Sequence, residues 1–190
     1  NEPYAIAKIA GLKLCESYNR QYGKSHGLDY RSVMPTNLYG PGDNYDADNS
    51  HVIPGLIYKF HKAKINNDKE VIAWGTGKPK REFMHVDDLA DACIAVHNMD
   101  NLSYKALVQP QSNFINVGSG EEISIFDLAN MIRDITGFEG DITFDKSKPD
   151  GTLLKKLNSS RIKSTGWSCK IKLKEGLLST YKSFLKETEL

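Results

Sequence analysis

The sequence is poor in cysteine, in long apolar runs and in net charge, and each shortage excludes a class of protein. Cys15, Cys93 and Cys169 form no C-x-x-C pair, which argues against a disulfide framework and against a thiolate metal site. No apolar run approaches the roughly 18 residues of a membrane span. The 25 basic and 24 acidic residues leave a net charge of +1, so no surface for nucleic acid or anionic lipid is expected. We expect a cytoplasmic protein that binds a small molecule.

The remaining composition is that of a globular chain with a packed core, since 39% of the side chains are hydrophobic and 26% are charged. Apolar residues at helical spacing alternate with short runs typical of strands, which predicts an α/β fold. A helix is predicted from Pro3 to about Tyr22 with Gly23 as its stop, and a buried strand over Tyr30–Met34 leads into an irregular loop ending at Gly42. Further strands are predicted over 71–74, 82–86, 114–117 and 142–144. Two further helices are predicted over 52–63, with Ser50 as the cap, and over 87–97, with Asp87 as the cap. A third begins at a Ser124–Asp127 capping box and ends before Gly137. The last follows the apolar stripe from Leu173 to Leu185.

Tyr4 and Lys8 are four residues apart on the first predicted helix, so both side chains leave the same face. A neighbouring ammonium favours phenolate, and such a pair can pass a proton to a carbonyl oxygen as hydride reaches the carbon. The pattern has low specificity, because Tyr58 and Lys62 repeat it within this chain. Taken alone, the pair is better explained as two ordinary surface residues.

The pair is the first of four sequence blocks that follow one another in a fixed order, and the set is more specific than the pair alone. They are Tyr4-Ala-Ile-Ala-Lys8, Asn37-Leu-Tyr-Gly-Pro-Gly42, Arg81-Glu-Phe-Met-His-Val-Asp-Asp88 and Asn116-Val-Gly-Ser-Gly120. In order and approximate spacing they resemble the extended short-chain dehydrogenase/reductase family. Within it, 34–41, 49–54 and 74–77 are most similar to the members that act on GDP-linked keto sugars. The resemblance extends from the start of the chain to about Leu185.

This resemblance implies the C-terminal part of a Rossmann domain together with a smaller α/β substrate-binding domain. The first would comprise residues 1–42 and 81–107, and the second, which is discontinuous, residues 43–80 and 108–190. Because the chain starts without Met and enters a predicted helix at once, we expect a C-terminal fragment. The family's glycine-rich cofactor turn, its catalytic serine and its epimerisation cysteine belong to the N-terminal half, which we expect to be absent.

The implied activity is NADPH-dependent 3,5-epimerisation and 4-keto reduction of GDP-4-keto-6-deoxy-D-mannose. The implied cofactor is NADP(H), the implied substrate is a GDP-sugar, and a homodimer is expected through the helix of Tyr4 and Lys8. Two alternatives remain. One is another NAD(P)-dependent sugar-nucleotide epimerase or dehydratase, and the other is a non-catalytic fragment that binds a nucleotide sugar.

The resemblance also implies roles for individual residues. Tyr4, Lys8 and His51 would be catalytic, with His51 as the acid that returns protons at C3 and C5. The cofactor would contact Lys8, Pro35, Thr36, Asn37, Leu38 and His51. The GDP-sugar would contact Lys59, Trp74, Arg81 and Asp150. Arg81 suits the diphosphate because its guanidinium can bind phosphate oxygens in pairs.

Two acidic groups could be taken for metal sites, and neither fits. Asp43, Asp46 and Asp48 lack the glycine and glutamate that a calcium loop requires at fixed positions. His85, Asp87 and Asp91 are better explained by strand geometry and helix capping. Gly118-Ser119-Gly120 lacks the full dinucleotide spacing and is interpreted as a plain turn. We therefore predict no metal.

Overall fold

A computed structural model describes residues 2–46 and 49–188 of the chain, and helices and strands alternate along them. The helices are α1 (Glu2–His26), α2 (Val52–Asn66), α3 (Val86–Asn98), α4 (Asn101–Leu107), α5 (Ile125–Thr136), α6 (Ser160–Lys163) and α7 (Leu173–Thr188). The strands are β1 (Ser32–Pro35), β2 (Asn37–Tyr39), β3 (Glu70–Trp74), β4 (Lys80–His85), β5 (Phe114–Val117), β6 (Glu122–Ser124), β7 (Asp141–Asp145) and β8 (Leu154–Lys155). The predicted α/β class is confirmed. None of the described helices is long and apolar enough to cross a lipid bilayer.

The chain forms two compact units, each made from three separate segments. The first unit comprises Asn1–Pro35, Leu89–Val117 and Asn158–Ser168, and the second comprises Thr36–Asp88, Gly118–Leu157 and Cys169–Leu190. The predicted division into cofactor-binding and substrate-binding parts concerns function, so it stays a prediction. Both units are discontinuous in sequence.

The first unit is built on the parallel pair β1 and β5. Ile115 and Val117 of β5 are completely buried, and α6 packs against this strand. Arg31 precedes β1 and donates hydrogen bonds to the carbonyls of Val96 and Met99, both at 2.6 Å. A helix leaves its last carbonyls without partners inside the helix, so Arg31 stabilises the C-terminal end of α3.

The second unit contains two small sheets and one apolar core. Strand β4 pairs with β2 and β8 in parallel and with β6 antiparallel, while β3 pairs with β7 in parallel. Helix α5 packs against both α2 and α7. The buried apolar side chains of these helices and strands form one cluster, which includes Phe60, Leu128, Ile132, Leu177 and Phe184.

Two helix boundaries differ from the predicted ones for reasons of capping. Helix α1 continues through Gly23 to His26, and Gly27, with φ of 65°, follows its end. A glycine inside a helix destabilises it by only about 1 kcal/mol, whereas the left-handed backbone after a helix favours glycine, so Gly27 is the stop. At α2 the N-cap residue is His51 rather than Ser50.

Other elements also differ. The strand predicted over Tyr30–Met34 corresponds to β1, which begins two residues later. It was expected to be buried, but Tyr30 and Met34 are both exposed. Within the described residues β5 is its one partner strand, which leaves its other edge open. The loop expected after it includes the strand β2. Asp87 lies in the first turn of α3 instead of capping it. Helix α4 was not predicted, although Asp100 caps it by accepting a hydrogen bond from the Ser103 amide at 2.9 Å.

Candidate functional site

Tyr4 and Lys8 lie on one face of α1, as the four-residue spacing predicts. The Lys8 ammonium nitrogen is 5.5 Å from the centre of the Tyr4 ring, and Tyr4 is 67% exposed. Tyr58 and Lys62 on α2 adopt almost the same arrangement, with a distance of 5.7 Å. The geometry of the pair is therefore compatible with proton transfer and is also a general consequence of the spacing.

The segment from Pro35 to Leu38 includes the end of β1 and the start of β2. The Thr36 hydroxyl donates to the backbone carbonyl of Glu82 at 3.0 Å, and the Asn37 side-chain amide donates to the same carbonyl at 2.7 Å. Leu38 is paired with Met84 in the ladder between β2 and β4. The side chains of Thr36 and Asn37 thus fix the start of β2 against β4.

Glu82, which the sequence reasoning did not single out, is the residue that organises this region. Its side chain is completely buried, and its Oε1 accepts from the Gly120 amide at 2.7 Å and its Oε2 from the Leu157 amide at 2.9 Å. A Cβ atom at Gly118 would lie 2.4 Å from Oε1, so this position requires glycine. The Gly118–Gly120 turn therefore binds a carboxylate of the protein itself, in line with its interpretation as a plain turn.

A charged residue directly before two apolar residues of a predicted strand was the available signal for Glu82. Phe83 and Met84 follow it and are buried, as is Glu82. A carboxylate is stable in such a place only when hydrogen-bond donors surround it. The sequence could have identified a buried acid at this position, but not the two amides that bind it.

His51 is the N-cap residue of α2, and its side chain is exposed. It makes no side-chain capping hydrogen bond, while its backbone carbonyl accepts from the Gly55 amide at 2.9 Å. The imidazole is therefore not used to satisfy the helix end. An imidazole that makes no capping bond is suited to exchanging protons with a bound molecule.

Trp74 and Lys59 were both predicted to contact the substrate, and the structure brings them together although they lie on β3 and α2. Trp74 is the last residue of β3 and its side chain is 61% exposed. The Lys59 nitrogen lies 5.2 Å from the indole centre, and the Lys148 nitrogen lies 5.6 Å from it. An exposed indole between two ammonium groups provides a flat apolar surface beside positive charge, which suits a base joined to phosphate. Lys148 was not predicted.

Arg81 and Asp150 occupy the same neighbourhood. The Arg81 guanidinium donates to the Lys80 carbonyl at 2.8 Å, and its Nη2 is 3.5 Å from the place of a Cβ at Gly151. Asp150 accepts two hydrogen bonds from Thr76, at 2.6 Å from the amide and 2.8 Å from the hydroxyl. These bonds lower the pKa of Asp150, and the charges of Lys78 and Arg81 lower it further. Asp150 is thus an ionised carboxylate held by the neighbouring turn.

Two of the residues weighed as metal ligands, His85 and Asp91, have structural roles. Nδ1 of the buried His85 accepts from the Asp87 amide at 3.2 Å, and Asp91 accepts from the Trp167 indole at 3.0 Å. Asp48 lies outside the described residues. Within the described residues no group of three or more His, Cys, Asp or Glu side chains could hold a metal ion.

Comparison with known proteins adds to this geometry. A model of the NAD dependent epimerase/dehydratase family matches residues 1–109. The chain is 52% identical over 189 residues to the GDP-L-fucose synthase of Escherichia coli K12, covering 100% of the chain and 58% of that protein. It is 52% identical over 185 residues to the probable GDP-L-fucose synthase 1 of Oryza sativa subsp. japonica, covering 97% of the chain and 52% of that protein.

Among solved structures, a GDP-L-fucose synthetase from Naegleria fowleri bound to NADP superposes with a TM-score of 0.86 at 29% identity. This match covers 98% of the chain and 56% of that structure. The chain therefore spans a little over half the length of the curated relatives and of the solved structure that it matches.

Proposed function

The chain belongs to the NAD dependent epimerase/dehydratase family, and on this premise we propose that the protein carrying it converts GDP-4-keto-6-deoxy-D-mannose to GDP-L-fucose. The reaction combines 3,5-epimerisation with reduction of the 4-keto group by NADPH. The observation that carries the proposal is the 52% identity to the Escherichia coli GDP-L-fucose synthase, which extends over 100% of this chain.

Epimerisation would use the acidity that the C4 ketone gives to the neighbouring C–H bonds. By the family resemblance, a cysteine of the N-terminal half would take the proton from C3 or C5. Tyr4 and Lys8 would stabilise the oxygen of the resulting enolate by hydrogen bonding and charge. His51 would return a proton to the opposite face of the carbon as the general acid of this step. The absence of a capping bond leaves this side chain available for the step.

Reduction would then use the pair on α1. When bound, NADPH supplies hydride to C4. Tyr4 would give its phenolic proton to the C4 oxygen, and the Lys8 ammonium would favour the resulting phenolate, which takes a proton back from solvent. The 5.5 Å distance between the Lys8 nitrogen and the Tyr4 ring is compatible with these two roles. Lys8, His51 and residues 35–38 are proposed to contact the cofactor.

Recognition of the GDP-sugar is assigned to the second unit. Trp74, flanked by Lys59, offers its exposed indole to an apolar or aromatic part of the substrate. Arg81 is proposed to bind the diphosphate, for which its planar guanidinium is suited. Asp150 lies in the same neighbourhood as Arg81.

The proposal includes a homodimer formed through α1 and a location in the cytoplasm. Helix α1 exposes several large apolar side chains, among them Ile6, Ile9 and Leu14. Cys15, Cys93 and Cys169 form no disulfide bond, which is typical of proteins in a reducing compartment.

The test uses the protein expressed from its complete gene. With NADPH and GDP-4-keto-6-deoxy-D-mannose it should oxidise NADPH and release GDP-L-fucose in equal amounts. Tyr4→Phe should lower the rate of reduction on the order of a hundredfold, because only the transferable proton is lost, with little change in substrate affinity. Tyr58→Phe is the matched control, since Tyr58 and Lys62 reproduce the same side-chain geometry on α2.

Three results would contradict the proposal. Turnover of a UDP-linked sugar without turnover of the GDP-linked ketone would favour another sugar-nucleotide epimerase. GDP-sugar binding with no turnover would favour a non-catalytic role. Equal losses in the Tyr4→Phe and Tyr58→Phe variants would remove Tyr4 from the chemistry.

A further inference from the structure

The turn between β3 and β4 links two residues proposed to bind the substrate. Trp74 is the last residue of β3, and Arg81 is the second residue of β4. The intervening residues contain Gly75 and Gly77, whose φ angles of 83° and 73° lie in the left-handed region. The conformation of this turn therefore determines how the indole and the guanidinium are placed relative to each other.

Asp150, from the segment between β7 and β8, holds this turn through Thr76. Its Oδ1 accepts from the Thr76 amide at 2.6 Å and its Oδ2 from the Thr76 hydroxyl at 2.8 Å. The same hydroxyl accepts from the Lys78 amide at 3.3 Å. The carboxylate thus binds the turn at two points, and the hydroxyl extends the connection to the turn's second half.

The Asp150 carboxylate lies so close to the backbone of Gly75 that it restricts which residue can occupy that position. A Cβ atom at Gly75 would lie 2.4 Å from Oδ1 of Asp150, so only glycine fits beside the carboxylate. Both oxygens of Asp150 are engaged by Thr76, and charge-assisted bonds of this kind are among the stronger ones in proteins. These features describe a carboxylate that holds backbone in place.

We propose that Thr76 and Asp150 form a positioning pair, which fixes Trp74 and Arg81 for the GDP-sugar. This inference rests on the proposed function and refines it, because Asp150 then acts on substrate binding through Thr76. Thr76 becomes a residue on which substrate affinity depends. Its removal should affect binding of the nucleotide sugar more than the chemical steps, which use other residues.

A double-mutant cycle in the protein expressed from its complete gene tests the pair. Thr76→Val removes the hydroxyl bond, Asp150→Ala removes both bonds, and Thr76→Ser retains them. We expect KM for GDP-4-keto-6-deoxy-D-mannose to rise about fivefold in Thr76→Val and about tenfold in Asp150→Ala, with a much smaller change in kcat. In the double variant KM should also rise about tenfold, because Asp150→Ala already removes the bond that Thr76→Val would remove. Thr76→Ser should restore the wild-type KM.

Thr143→Val is the matched control for the threonine substitution. Thr143 lies on β7 and its hydroxyl also donates to a carboxylate, Oε2 of Glu70, at 3.2 Å. This bond is exposed and does not involve the β3–β4 turn. The control should keep the wild-type KM. A rise in KM that is confined to Thr76→Val then results from the changed turn and not from the general removal of a hydroxyl.

A second readout needs no turnover. The sequence has two tryptophans, Trp74 and Trp167, so a protein labelled with 5-fluorotryptophan gives two fluorine resonances, which Trp74→Phe assigns. Without ligand, Thr76→Val and Asp150→Ala should shift or broaden the Trp74 resonance and leave that of Trp167 unchanged. This measurement judges the pair even if the protein proves to act on another substrate.

Two results would overturn the inference. If the KM factors of the single variants multiply to about fiftyfold in the double variant, Thr76 and Asp150 act independently and form no pair. If the Trp74 resonance is unaffected by both substitutions, the pair does not control the turn. Failure of the proposed function would instead appear as no GDP-sugar turnover by the wild-type protein, with the Trp74 resonance still responding.

Discussion

At the scale of single residues, the chemistry proposed for His51 depends on its position at a helix end. An N-cap side chain normally accepts a hydrogen bond from the first turn, and serine, threonine, aspartate and asparagine do this best. His51 occupies the position without making that bond. Its side chain contributes little to helix stability, so a substitution there can be interpreted in terms of chemistry.

His51→Gln tests whether the imidazole is the acid of epimerisation. In deuterated water the variant should exchange the C3 and C5 protons of the GDP-linked ketone slowly. Tyr4 and Lys8 should still direct hydride to C4, so a 6-deoxy sugar of unepimerised configuration should accumulate. NMR of the sugar follows both events. Wild-type exchange rates at both carbons in the variant would remove His51 from the mechanism, and a loss of stability of about 1 kcal/mol with both steps intact would make it a capping residue.

The sequence predicted the contacts of some candidate residues and not those of others. The pairing of Tyr4 with Lys8 follows from helical spacing, and the structure reproduces it. The role of Glu82 could not be predicted, because its carboxylate accepts from amides 38 and 75 residues further along the chain. The contact of Lys148 with Trp74 likewise depends on the pairing of distant strands. Local spacing fixes contacts within a helix, whereas long-range packing decides which loops meet.

At the scale of secondary-structure elements, the strongest local signals gave the most accurate boundaries. The Ser124–Asp127 capping box predicted the start of α5, and Gly137, with φ of 69°, follows its end as expected. The Ser124 hydroxyl accepts from the Asp127 amide at 3.0 Å and contacts the Asp127 carboxylate at 2.5 Å. Signals without such a specific partner, such as Ser50 or Gly23, were misplaced by a few residues. Helix α4 was missed because its capping pattern, Asp100 followed by Ser103, lies within a short polar stretch.

Ser124→Ala should lower the free energy of unfolding by about 1 kcal/mol, because the Asp127 amide in the first turn of α5 loses its capping partner. Ser50→Ala is the control, since Ser50 precedes α2 but His51 is the N-cap residue of that helix. The control should change stability by less than half as much. Urea unfolding of both variants provides the comparison, and equal losses would show that the capping bond of Ser124 contributes nothing specific.

At the scale of the whole molecule, the exposed face of α1 requires an explanation. Of the residues of this helix, Glu16 is the one that is buried. Ile9, in contrast, is 58% exposed, and Tyr4, Ile6 and Leu14 on the same helix are exposed as well. Exposed apolar groups on one element are typical of a surface that a partner covers. Amphipathic spacing predicted the helix correctly, but it could not say what covers the apolar residues, because that depends on chains and segments outside the helix.

We expect the covering partner to be a second copy of the protein, in a dimer formed through α1. Sedimentation of the protein expressed from its complete gene should give a dimer at micromolar concentration. Ile9→Glu should shift it to monomer, because a carboxylate buried in an apolar interface without a partner is strongly unfavourable. Ile65→Glu is the matched control, since Ile65 is an isoleucine on helix α2 with a comparable exposure of 64%. A wild-type protein that sediments only as a monomer would disprove the dimer, and dissociation by both substitutions would show that charge, and not the α1 surface, is responsible.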